Sequence, residues 1–136
     1  MIEFRVRGAA AGAVYAGMFF GIIQLVLHSK QIGLPELAMA MLAGGAMALP
    51  LTACHVAAAF AVLLVAPRQP FAAQFALFSS LSFSAWLLTV ALIDQAFRAI
   101  GEAGHKGSLA WLAFFVAGTG ACLIAMVAAS RRTRTA

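Results

Sequence analysis

Residues 37–67 read LAMAMLAGGAMALPLTACHVAAAFAVLLVAP, 31 consecutive positions without a charged side chain. A membrane-spanning helix needs about 20 apolar residues, because the hydrocarbon core is about 30 Å thick and each residue rises about 1.5 Å. This stretch exceeds that length, and three further charge-free runs flank it: 8–29 (22 residues), 69–93 (25) and 107–130 (24). The whole chain has 136 residues, 64% hydrophobic and 10% charged, whereas a soluble domain carries about 25% charged residues. So short a chain buries only about two-thirds of its surface on folding. The remaining apolar surface must face lipid or a partner. That excludes a soluble enzyme, a disordered tail and a disulfide-stapled secreted module.

In lipid every backbone polar group needs an internal partner, so spanning segments are helices or closed barrels. Unbroken apolar runs lack the alternation of a barrel strand. The expected fold is an all-α integral membrane protein with one domain over 1–136. Four transmembrane helices, near 8–29, 37–66, 71–97 and 108–130, would form an antiparallel up-and-down bundle. The first apolar run is too long for a signal-peptide core and lacks a small-residue cleavage site after it, so it reads as a retained anchor.

The second segment is too long for one straight span and contains Gly44, Gly45 and Pro50. Proline lacks the backbone donor and clashes with the carbonyl four residues back, here that of Ala46. A kink is expected between Gly44 and Pro50. It reads as a tilted, kinked span, with a discontinuous helix lining a site as the sharper alternative. Pro67-Arg68-Gln69-Pro70 marks a tight turn that makes the second and third segments neighbours.

With four spans, Arg5, Arg7, Arg68, Arg131, Arg132 and Arg134 share one side, and Lys30, Arg98 and Lys106 the other. The positive-inside rule places both termini in the cytoplasm. Ala-rich helices with Arg-heavy ends suggest a bacterial cytoplasmic membrane. The net charge of +5 reads as topology signal and contact with anionic lipid, not as nucleic-acid binding.

Membrane helices associate where small residues let backbones approach. Gly17 and Gly21 in the first segment, and Ala117 and Ala121 in the last, are the packing positions. They could serve the bundle itself, a protein partner or a homo-oligomer. Counting residues inward from the Arg-rich ends puts Thr52, His55, Ser79, Ser82 and Thr119 near the midplane, where an ionisable side chain marks a possible site. Gln24, His28, Asp94, Arg98 and His105 form a second polar group near the other face. Asp94 and Arg98 are spaced for an i, i+4 pair. Cys54 and Cys122 read as small packing residues.

No carboxylate lies mid-span, and no phosphate loop, HExxH or nucleophile elbow occurs. Nothing in the sequence asks for catalysis, and no metal is expected. No cofactor is expected either, although haem or quinone on His55 or His28 stays open. The leading functional reading is an accessory or assembly subunit of a larger membrane complex. The alternatives are a small oligomeric transporter or channel using the His55, Ser82 and Thr119 layer, and a haem- or quinone-binding subunit.

Overall fold

The computed structural model describes residues 3–101 and 108–135, all of whose regular structure is helical. Five helices follow in order: α1 (Val6–His28), α2 (Leu34–Met47), α3 (Leu49–Val65), α4 (Phe71–Ala99) and α5 (Ser108–Thr135). Three stretches are long and apolar enough to cross a membrane: Val6–His28, Phe71–Ala99 and Trp111–Arg132. The pair α2 and α3 passes the same test only when taken together, which makes four.

The second charge-free run is thus two helices, bent by 45° across Ala48. The cause is local. Pro50 has no N–H to donate and its ring crowds the Ala46 carbonyl. The Ala48 N–H instead bonds Gly44 O at 3.1 Å and Gly45 O at 3.2 Å, closing α2. Pro50 then occupies the first turn of α3, where a missing donor costs nothing. Thr52 N–H bonds Ala48 O at 2.8 Å, and Thr52 Oγ1 donates to the same oxygen at 2.9 Å. α2 begins as early as Leu34 because Gly33 and Pro35 start it. α5 runs through Arg131 and Arg132 because no breaker stops it, and cations suit a helix C-terminus.

α1 is the hub, packing on α2, α3 and α5. Its buried residues are Ala9, Gly12, Ala13 and Gly17, all small. A Cβ added at Gly12 would meet the Cys122 backbone, and one at Gly17 would meet Gly44 O and the Ala48 methyl. Gly21 lies against Ala40 O, and Gly8 against Met126. Numbers rise along α1 as they fall along both α5 and α2, so these contacts are between oppositely directed helices.

α3 and α4 meet through larger side chains. α3 buries Leu51, Cys54, His55, Ala58, Ala59 and Val62; α4 buries Gln74, Phe78, Ser82 and Trp86, a stripe with a period of four. Gln74 Nε2 donates to Ala66 O at 2.9 Å and Pro67 O at 3.3 Å, satisfying carbonyls left open where α3 ends. Phe4, 8% exposed, tucks under the bundle against Phe78, ring centroids 5.4 Å apart, and Phe71, 6.5 Å. At the other end Trp86 Nε1 donates to Trp111 O at 3.2 Å, with the two indoles edge to face at 5.6 Å.

Candidate functional site

α3 turns His55 inward with Leu51, Cys54, Ala58, Ala59 and Val62, and the imidazole is fully buried. Space for the ring comes from α5: a Cβ on Gly118 would sit 2.7 Å from Leu51 Cδ2 and 3.4 Å from His55 Cε1. Both imidazole nitrogens have partners on α5. Nε2 lies 3.3 Å from Thr119 Oγ1, and Nδ1 lies 3.7 Å from Cys122 Sγ. The Cys122 thiol also donates to Ala9 O of α1 at 3.0 Å. Phe78 of α4 and Phe115 of α5 close over the ring, with centroids 5.3 and 5.9 Å away. One polar node therefore links α1, α3 and α5 inside an apolar shell.

One neutral tautomer fits this pattern. The thiol has a single proton and gives it to Ala9 O, so it cannot also donate to the ring. Nδ1 therefore carries the imidazole proton and points it at Cys122 Sγ, while Nε2 accepts from the Thr119 hydroxyl. His55 is thus held at both ends, and such bonds between membrane helices contribute about 0.6 kcal/mol on average.

The other polar residues singled out from the sequence fall elsewhere. Thr52 gives its hydroxyl to Ala48 O at the break. Ser79 donates to Phe75 O at 2.9 Å, Ser80 to Ala76 O at 3.0 Å and Ser84 to Ser80 O at 3.0 Å, all within α4. A serine in lipid can always reach the carbonyl four residues back, so these hydroxyls do not seek another helix. Ser82 alone points inward. It is fully buried, and its Oγ has no hydrogen-bond partner among the described residues.

The second polar group does not gather either. His28 Nδ1 lies 3.0 Å from Gln24 O on its own helix, and Gln24 is exposed. Asp94 and Arg98 pair within α4, Nε to Oδ2 2.9 Å. His105 lies outside the described residues. At the Arg-rich end, Arg5 bonds Glu3, Nε to Oε2 3.1 Å, and this guanidinium holds the Glu3 carboxyl below the usual carboxylate range.

Of the packing positions, Gly17 and Gly21 are taken up by α2, and Ala121 lies at the α1 contact beside Gly12. Ala117 is exposed. It forms part of an open apolar groove of about 790 Å³ between α1 and α5, with Met41 of α2 at one edge. The groove has a floor of Ala113, Ala117 and Gly120 and a wall of Tyr15, Phe19 and Phe20. Tyr15 and Phe19 are 64% and 65% exposed.

Two contributors were not drawn from the sequence. Cys122 reads as a packing residue by itself, yet it follows Thr119 at i, i+3, so both face the same neighbour. That spacing was the available signal. Gln74 had a weaker one, its place one turn after Pro70. Among the described residues no group of three or more His, Cys, Asp or Glu is placed to hold a metal. Comparison with protein-family models, with curated proteins and with solved structures finds no match to this chain.

Proposed function

We propose that this is a small integral membrane protein, crossing the bilayer four times with the bent α2–α3 pair as one kinked span. In this reading it is an up-and-down antiparallel bundle that serves as an accessory or assembly subunit of a larger membrane complex. The excess of arginine at the end carrying Arg5, Arg68 and Arg131 supports placing that end in the cytoplasm, in a bacterial inner membrane.

The observation that carries the reading is the α1–α5 groove. Its floor is made of residues too small to fill it, and nothing lies within 4 Å of where a Gly120 Cβ would stand. Acyl chains need no small-residue floor, since they pack against leucine equally well. A neighbouring helix does need one, because its backbone must approach closely to gain dispersion contact. The occupant is therefore a transmembrane helix of a partner subunit, gripped between the floor and the aromatic wall. The His55 node supports a transport path less well. It is sealed by Phe78 and Phe115, and both ring nitrogens are already engaged.

Filling the groove tests this. The double variant Ala117→Leu, Gly120→Leu adds bulk only on an exposed surface, so the bundle should stay intact. Native mass spectrometry of gently solubilised protein is expected to show the wild type with a second, different membrane subunit and the variant alone. The same complex in both, the chain alone in both, a homo-oligomer, or a bound small lipophile such as a quinone would each overturn the reading.

A further inference from the structure

α1 meets its neighbours on three sides and leaves a fourth open. α5 lies on Gly8 and Gly12, and α2 on Gly17 and Gly21. Past the 45° bend at Ala48, α3 lies on the side of Ala13 and Ala9, which cluster with Leu51 and Ala58. Successive residues turn by about 100° around a helix, so the α2 and α3 sides of α1 stand about 80° apart. The strip between Gly17 and the start of α1 is left uncovered on the α2 side. It forms a shallow groove of about 570 Å³ lined by Arg7, Ala10, Ala11, Val14, Tyr15 and Met18.

The groove carries one charge, at its mouth. Arg7 is exposed, and among the described residues no hydrogen bond or ion pair engages it. The guanidinium of nearby Arg5 is taken up by Glu3. From Arg7 the wall is apolar and half-buried as far as Met18, about 16 Å along α1. One leaflet is as deep, half of a hydrocarbon core about 30 Å thick. A charge followed by a leaflet's length of apolar wall matches a phospholipid, in which an anionic phosphate is joined to acyl chains. Small floor residues accept an acyl chain as readily as a helix, so the floor does not choose the occupant. The mouth does: no charged residue lines the α1–α5 groove, whereas this one presents a cation. Arg68 also borders a hollow, but one made by residues 64–69 at the turn, with no run into the hydrocarbon.

We propose that this groove binds one anionic phospholipid, its phosphate on the Arg7 guanidinium and an acyl chain along Ala11, Val14 and Met18. Guanidinium offers parallel N–H donors to two phosphate oxygens. The proposal rests on the chain spanning the membrane, not on the partner helix. Tyr15 and Met18 form the ridge between the two grooves.

Protein in mild detergent is given equal amounts of phosphatidylglycerol and phosphatidylcholine and examined by native mass spectrometry. The second lipid has the same phosphate, with its charge cancelled by choline. Wild type should retain one phosphatidylglycerol per chain in preference. Arg7→Gln should lower that preference about fivefold, the factor one base near an anionic surface contributes. Arg68→Gln should leave it unchanged. Ala11→Leu with Val14→Phe fills the groove and should lower retention while Arg7 remains. Phosphatidylglycerol with a photoreactive acyl chain should label wild-type protein between Ala10 and Met18, a readout that needs no variant. Equal retention of the two lipids, no change in Arg7→Gln, an equal loss in Arg68→Gln, or labelling confined to other helices would each overturn the site. Resistance of wild type and Arg7→Gln to alkaline carbonate washing of vesicles checks the span separately. Release of both would overturn the spanning reading and the site with it, whereas inserted protein without lipid preference overturns the site alone.

Discussion

α1 and α4 look alike by bulk measures. Both are long and apolar, and each buries 17% of its most hydrophobic window. Their contacts are opposite in kind. α1 meets its neighbours backbone to backbone, at Gly12 against Cys122 and at Gly17 against Gly44. α4 meets α3 and α5 through Phe78, Phe83 and Trp86, and turns the hydroxyls of Ser79, Ser80 and Ser84 back on itself. Lipid gives helices no hydrophobic reason to associate, so each must gain dispersion contact by some route. α1 gains it by closeness, which tolerates no added atom. α4 gains it by side-chain bulk, which tolerates loss better than addition.

Three variants would break or sharpen that contrast. Gly12→Leu should have the largest effect. Its side chain would enter the Cys122 backbone, which has nowhere to go, so destabilisation should reach or pass the ~3 kcal/mol upper range of overpacking. Thermal melting in mild detergent measures it, and a wild-type melt would mean that α1 and α5 do not touch there. Phe78→Ala should cost less. A soluble core loses about 3–5 kcal/mol from such a change, but in lipid only the packing part remains, leaving about 2 kcal/mol. If Phe78→Ala proved as harmful as Gly12→Leu, the two contact modes would not differ in tolerance. Ser80→Ala with Ser84→Ala should stay within about 0.5 kcal/mol, as exposed changes usually do. A clear loss of melting temperature would place those hydroxyls in contact with another helix.

Much of the fold was legible because charge is so scarce that it marks helix ends directly. Pro67 and Pro70 bound the turn between α3 and α4, and α4 begins at Phe71 immediately after them. The break at Ala48 could be narrowed to a few residues because proline acts through local sterics. Its 45° angle could not, since the break packs against a distant part of the chain, Gly44 and Ala48 lying on Gly17 of α1. The polar node shows the same division. Residue counting gives depth, which places His55 and Thr119 at one level. It says nothing about rotation, so it could not separate Ser82, which turns inward, from Ser79, Ser80 and Ser84, which do not. Rotation is set by the period-four stripe of Gln74, Phe78, Ser82 and Trp86, a pattern that only its partners reveal.

The central position of α1 bears on how the molecule is made. Its neighbours α2, α3 and α5 all follow it in the chain, so the ribosome delivers the template before the parts that assemble on it. α2 is only 14 residues, about 21 Å of helix, too short to cross the bilayer by itself. In the proposed four-span reading its support is the glycine face of α1, which precedes it in the chain: Gly17 against Gly44 and Ala48, and Gly21 against Ala40. The residues that allow close packing in the finished protein would then also order its assembly, and a bulky residue at Gly17 or Gly21 is expected to lower the yield of inserted protein and not only its stability.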